Sequence, residues 1–123
     1  MSKARVVIYK NLDGTVPLLE WLDCVPPKVQ DKFIVRVELL REMGHMLRRP
    51  HCDYLRDGIY ELRVRHGNVN YRILYCFCGG KIALLSHGCT KEKKVPSKEI
   101  ERALRSRLSF EGDPEVHTYQ EEL

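Results

Sequence analysis

The stretch from residue 60 to residue 87 constrains the fold of this chain more than any other. It reads YELRVRHGNVNYRILYCFCGGKIALLSH, three strand-like runs separated by the dipeptides Gly67-Asn68 and Gly79-Gly80. Dipeptides of this kind are typical of two-residue hairpin turns between antiparallel strands. The stretch therefore predicts an antiparallel meander, with strands at residues 59–65, 70–78 and 81–87.

The segments around the meander predict one more strand and three helices. Residues 5–9 are apolar and β-branched, which is typical of a strand. Pro17 and Pro27 suit the first turns of two helices, the second ending near residue 43, and residues 97–108 repeat apolar positions at helical spacing. Residues 45–56 are basic and predicted to be irregular. The order of elements predicts an α+β fold: an N-terminal strand plus a three-strand meander, with the helices packed on one face.

Alternation of side chains along each strand predicts which face of the sheet is the core. The side chains predicted to share the core face are Tyr60, Leu62, Val64, Tyr71, Ile73, Tyr75, Phe77, Ile82 and Leu84. The opposite face is predicted to be open, and basic side chains lie on it.

Two-residue turns at both dipeptides would align Arg63, Arg72 and His87 in one row across three strands. Like charges opposite each other destabilise a strand pair by a few tenths of a kcal/mol to about 1 kcal/mol. The row therefore predicts an anion site, and Arg72→Leu is expected to leave stability unchanged or raise it. The alternative is that the arginines extend into solvent, with Glu61 and nearby acids as partners.

The charge of the chain is unevenly distributed. Residues 111–123 contain five acids and no Lys or Arg, so residues 1–110 carry 21 basic against 12 acidic side chains, a net charge of +9. A body this basic indicates a polyanionic partner, nucleic acid first, and a solvated basic surface is the alternative. We predict one domain at residues 1–110 and a loose acidic tail at residues 111–123.

Other classes of protein are disfavoured by composition. No apolar run approaches the roughly 20 residues that a membrane span needs, and the N-terminus lacks the apolar region of a signal peptide, so no membrane association and a cytoplasmic location are expected. The five cysteines are irregularly spaced and lack the paired spacing of a zinc site. No metal and no cofactor are predicted.

Three motifs carry a resemblance to a known family: DGIYELR, YRILYCF and KIALLSHGCTKEKKVPSKEIERA. They resemble the HigB/RelE toxins of bacterial type II toxin–antitoxin modules, and more closely the phage-derived HigB-like branch, over residues 6–108. The resemblance implies a RelE-like fold and a toxin that cuts mRNA on the ribosome without metal. It also implies an antitoxin as partner, here expected to be of the helix-turn-helix type.

The resemblance also implies site residues. Arg63 and Arg72 are expected to contact the phosphate, Lys91 to border the scissile bond, and His87 to act as a proton shuttle. Further RNA contacts are predicted at Arg65, Lys93, Lys94, Arg48, Arg49 and Arg56, and for the last three a solvated basic loop is the alternative. Cys89 replaces the aromatic residue of the family pattern, and Ile100 stands near the place of a catalytic tyrosine in some members, so the general acid is unassigned.

Two other functions remain open. One is a ParE-like toxin that acts on DNA gyrase without cutting RNA. The other is an inactive prophage remnant that binds RNA.

Overall fold

The computed structural model describes residues 3–90 and 94–119. Its elements in chain order are β1 (Arg5–Ile8), α1 (Pro17–Leu22), α2 (Pro27–Met43), a 3₁₀ turn (Gly44–Met46), β2 (Cys52–Arg56), β3 (Ile59–His66), β4 (Val69–Cys78), β5 (Ile82–Thr90) and α3 (Ser97–Gly112). The strands form one sheet in the order β1-β5-β4-β3-β2, with β1 parallel to β5 and the other pairs antiparallel. The predicted α+β class is confirmed, and the architecture is compatible with a RelE-like fold.

The helices begin where the prolines predict. Pro17 and Pro27 occupy the first turns of α1 and α2, where their fixed φ is helical and their missing N–H costs nothing. The predicted range of α2 is confirmed. The helix ends at Met43, and the next residue, Gly44, has a φ of 52° that is unfavourable for other residues. α3 runs beyond its predicted end, to Gly112.

The edge strand β2 was predicted to be irregular, and that prediction is wrong. Residues 52–56 pair with β3 through a turn at Asp57-Gly58, whose φ values are 53° and 84°. The strand is short, polar and interrupted by a bulge between Tyr54 and Arg56, so it lacks a clear alternation. Its one signal was Asp57-Gly58, a dipeptide typical of hairpin turns.

The register of the meander is confirmed at one turn and wrong at the other. Gly67-Asn68 is a two-residue turn, and Arg63 faces Arg72 as predicted. The second loop contains three residues, because Cys78 pairs with Ile82. A bulge at Ser86 of β5, opposite Leu74 and Tyr75, adds a further shift. Arg72 therefore faces Cys89, while His87 faces Leu74, so the predicted row of Arg63, Arg72 and His87 does not form.

Both faces of the sheet are covered, which corrects the prediction that the helices pack on one face. α1 and α2 pack on the first face, and α3 packs on the second. The signal was in β4, where Ile73 to Cys76 is a continuous apolar run of the kind found in strands buried on both sides. The second face is therefore a core and not an open surface.

The first face carries most of the predicted core. Side chains of this face include, as predicted, Tyr60, Leu62, Val64, Tyr71, Ile73, Tyr75 and Phe77. Ala83 and Leu85 join them in place of Ile82 and Leu84, which lie on the second face. The third loop residue causes this exchange, because a shift of one residue turns a strand's side chains over.

The segment after α3 returns to β1. Tyr119 N donates to Ile8 O and Lys10 N donates to His117 O, each at 2.9 Å. The His117 ring stacks on Tyr9 at a centroid distance of 5.3 Å. Within the described part of the predicted loose tail, residues 117–119 thus contact β1 and the loop after it, while residues 111–115 are exposed.

No helix within the described ranges is long and apolar enough to span a membrane.

Candidate active site

A pocket of about 500 Å³ opens where β2, β3 and β4 meet the beginning of α3. Three predicted basic residues line it: Arg72 from β4, Arg56 from the end of β2, and Lys94 from the approach to α3. Its other lining residues are Asp53, Tyr54, Leu55, Glu61, Val95, Ser97 and Ile100. The fold thus brings three cations together from three separate parts of the sequence.

The floor of the pocket is a buried ion pair. Arg72 is 6% exposed and Glu61 is 4% exposed, and Arg72 Nε lies 2.7 Å from Glu61 Oε2. Arg63 approaches the same carboxylate, with its Nε 3.5 Å from Glu61 Oε1. Arg63 and Arg72 face each other across the strands, and Glu61 lies between their charges and compensates them.

Two opposing influences act on the Glu61 carboxyl. Burial raises its pKa, and the charges of Arg72 and then Arg63 oppose that rise. The effect of burial is the larger, so the pKa of Glu61 lies above its ordinary value. A carboxylate with a raised pKa at the floor of a pocket has the properties of a proton acceptor.

The rim of the pocket is tied to α3 by Arg56. Its Nη2 donates to Ser97 Oγ at 2.7 Å and lies 3.3 Å from Glu101 Oε1. Its Nη1 donates to Asp57 at the β2–β3 turn. Lys94 is exposed at the same rim. Arg56 therefore has a structural role as well as a place in the pocket.

His87 lies outside this pocket. The ring is 1% exposed, with Nδ1 2.8 Å from Ser86 Oγ in a hydrogen bond and Nε2 3.3 Å from Glu99 Oε1 of α3. Ser86 Oγ also donates to Ser106 Oγ at 2.9 Å. The bulge in β5 explains the arrangement, because it directs two consecutive side chains, Ser86 and His87, toward α3.

The environment of His87 favours its neutral form. Burial and the charge of Arg102 lower the pKa of His87 to about 4, and Glu99 opposes the decrease. At neutral pH this ring joins β5 to α3 and has no access to a phosphate in the pocket.

The remaining predicted residues are dispersed. Arg65 is exposed and lies outside the pocket lining. Arg48 and Arg49 line a second pocket of about 660 Å³, which shares Asp53 and Tyr54 of β2 with the first. Lys91 and Lys93 lie outside the described residues.

Sequence reasoning gave Glu61 only as a possible partner of the arginines, and it missed its place in the site. The signal was its position two residues before Arg63 in the YELR motif, which puts both side chains on the same face of β3. Within the described ranges, no group of three or more His, Cys, Asp and Glu side chains is placed to hold a metal ion.

A comparison with protein-family models identifies the family. The model described as "Phage derived protein Gp49-like (DUF891)" matches residues 20–107, more than half of the chain. The chain belongs to the Gp49-like family. This is a phage-derived, toxin-like family related to RelE and HigB. All residues that line the first pocket fall within the Gp49-like match. A search of curated proteins gives no match.

Proposed function

We propose that this Gp49-like chain is the toxin of a type II toxin–antitoxin module, and that it stops translation as a ribosome-dependent mRNA endoribonuclease. The observation that carries the proposal is the first pocket, where Arg72, Arg56 and Lys94 meet beside the buried carboxylate of Glu61. The relation of the family to RelE and HigB supports the same activity.

The residues of the pocket suit cleavage of RNA by its own 2′-hydroxyl. The 2′-oxygen attacks the adjacent phosphorus and the bond from phosphorus to the 5′-oxygen breaks, which leaves a 2′,3′-cyclic phosphate and a 5′-hydroxyl. Cations held in place before the reaction stabilise the charge that develops on the phosphoryl oxygens. Arg72 supplies positive charge at the floor of the pocket, and Arg56 and Lys94 supply it at the rim.

The reaction also moves two protons, one from the 2′-hydroxyl and one to the departing 5′-oxygen. The second proton is taken from solvent, because the general acid is unassigned. Glu61 accepts the proton of the 2′-hydroxyl, because burial raises its pKa above that of an exposed carboxyl and so makes it a stronger base. Lys91 keeps the role that the resemblance implies, at the scissile bond. His87 becomes a positioning residue: it contacts Glu99 at the beginning of α3, which carries Ser97 in the pocket wall.

Lys94 offers the cleanest test, because it is exposed and its removal disturbs no packing. Induced expression of the wild-type chain in a bacterium is expected to arrest growth and to cut translated messages. Lys94→Ala should lower the rate of cleavage on programmed ribosomes about tenfold, the scale of one lost electrostatic contact to the transition state. The matched control is Lys28→Ala, an exposed lysine on α2, which should leave cleavage unchanged.

Growth arrest with intact messages would contradict the nuclease. Inhibition of gyrase supercoiling by the purified protein would then support the ParE-like alternative. An absence of arrest, with RNA binding retained, would support an inactive prophage remnant.

The partner is proposed to be an antitoxin of the helix-turn-helix type. A net charge of +9 on residues 1–110 suits a partner segment that is acidic. A short helix-turn-helix reading frame beside this one should restore growth when the two are expressed together.

A further inference from the structure

The edge strand β2 separates two pockets that share part of their walls. Asp53 and Tyr54 of β2 line both the first pocket of about 500 Å³ and the second of about 660 Å³. β2 is the last strand of the sheet, so the barrier between the pockets is one chain thick. A second extended chain can therefore cross it from one pocket to the other.

Tyr54 stands on this barrier with much of its side chain open to solvent. It is 53% exposed, and its hydroxyl accepts a hydrogen bond from Gly58 N at 3.0 Å. Its ring also meets Tyr60 edge to face, with centroids 5.0 Å apart and an interplanar angle of 70°. The hydrogen bond and the ring contact fix the orientation of Tyr54, so it is a preformed aromatic platform.

Cations flank this platform on both sides. The first pocket has Arg56, Arg72 and Lys94. The second has Arg48 and Arg49, and Arg49 Nη2 pairs with Asp53 Oδ2 at 2.9 Å, so Arg48 carries the uncompensated charge there. Arg48 Nη1 donates to His45 O at 2.6 Å and to Leu47 O at 3.0 Å. These acceptors are neutral carbonyl groups, so the bonds orient the guanidinium without compensating its charge.

We infer that a single strand of RNA crosses β2, with one unpaired base stacked on Tyr54 and its neighbouring phosphates in the two pockets. The inference rests on the proposed function, because it takes the RNA that the nuclease would cut as the ligand. An aromatic ring between cationic pockets is the arrangement by which proteins bind single strands, because any unpaired base can stack on it. A base held in a duplex has no free face to offer.

The test uses RNA that cannot be cut. A short single-stranded oligonucleotide with 2′-O-methyl riboses and one 2-aminopurine reports stacking by a loss of fluorescence. The wild-type protein is expected to quench it. Tyr54→Ala should abolish the quenching and weaken binding about tenfold, the scale of one lost base–aromatic stack. Tyr54→Phe is the matched control: it keeps the ring and its contact with Tyr60 but loses the hydrogen bond from Gly58 N, so it should still quench the fluorescence and bind more tightly than Tyr54→Ala.

A second variant tests whether the cations of the second pocket contact the phosphates of the RNA. Replacement of Arg48 and Arg49 together by Ala should reduce the dependence of binding on salt, because fewer counterions are then released. A salt dependence equal to that of the wild type would mean that the second pocket takes no phosphate, and it would overturn the path.

Other outcomes separate this inference from the proposed function. The proposed RNA path across β2 is overturned if the wild-type protein leaves the fluorescence unquenched at low salt, or if it binds the matching duplex equally well. Either result would count even if ribosomal cleavage depends on Lys94. Quenching that depends on Tyr54 supports the path even if no message is ever cut. In that case the proposed nuclease fails and single-strand binding stands.

Discussion

The two faces of the sheet are built from different chemistry. The face under α1 and α2 is apolar and aromatic, with Phe33 of α2 fully buried beside Trp21. The face under α3 holds every buried Ser, His, Glu and Arg side chain that the structure describes: Glu61, Arg72, Ser86, His87 and Ser106. Buried polar groups are costly unless they are paired, and a buried ion pair rarely adds net stability over well-packed apolar residues. Both faces have an apolar core, and the second face in addition carries the buried polar groups that form the pocket floor and the contact with α3.

The ion pair at the pocket floor gives the largest expected effect. Arg72→Leu should destabilise the protein by about 3 kcal/mol, because it removes the nearer and more buried partner of the Glu61 carboxylate and leaves, among the described residues, only Arg63 at 3.5 Å. This reverses the expectation from sequence, which assumed an exposed row of like charges. Urea unfolding measures the change. In the matched double variant, Glu61→Leu with Arg72→Leu, most of the loss should be recovered, and a stable single variant would contradict the pairing.

The apolar face should respond to volume and not to charge. An added Cβ at Gly88 would lie 1.9 Å from Trp21 Cδ2 of α1, so Gly88→Ala should destabilise the protein by about 3 kcal/mol through overpacking. The control is Gly112→Ala at the end of α3, where no atom lies within 4 Å of the added carbon. A tolerated Gly88→Ala would show that the indole can move aside.

The polar face should make stability depend on pH. The pKa of His87 is lowered to about 4 in the folded protein, so the unfolded chain binds the proton first as the pH falls below about 6.5. Between pH 7 and pH 5 this should remove about 2 kcal/mol of stability. The raised pKa of Glu61 acts in the opposite direction, because the folded state then binds a proton more readily than the unfolded chain.

The variant His87→Gln isolates the contribution of this ring. The wild type should lose about 2 kcal/mol more stability than this variant between pH 7 and pH 5, because the variant lacks the contribution of His87. Thermal or urea unfolding at the two pH values measures the difference. Parallel curves for the two proteins would mean that the buried ring binds a proton as readily as an exposed one.

The smallest effect is expected at the contact between β5 and α3. Ser106 Oγ accepts from Ser86 Oγ and donates to Arg102 O at 3.2 Å. Ser106→Ala should therefore cost about 1 kcal/mol, the scale of one buried hydrogen bond between uncharged groups. Ser109→Ala on the same helix is the control, since it makes the same change in helix propensity. Equal stabilities of the two variants would mean that the hydroxyl chain contributes nothing.

Local sequence patterns were sufficient where the interactions are local. The prolines and the apolar spacing of α2 predicted its range, since helical contacts join residues three and four apart. Gly67-Asn68 predicted the β3–β4 hairpin and the pairing of Arg63 with Arg72, because a two-residue turn determines the register of the strands it joins. Arg56, Arg72 and Lys94 were predicted as RNA contacts, and the structure places them around one pocket; their roles stay predictions.

Only the tertiary structure decided the rest. A third loop residue and a bulge moved His87 away from Arg72, and turn chemistry did not predict either of them. The face that α3 covers depends on contacts between distant parts of the chain, and periodicity shows only which side chains lie together. Burial under α3 also determines the roles of the charged groups. Arg72 is paired with the Glu61 carboxylate, and His87 is neutral and contacts α3. The sequence alone determined the three helices, four of the five strands and the basic residues, and their partners followed from long-range packing.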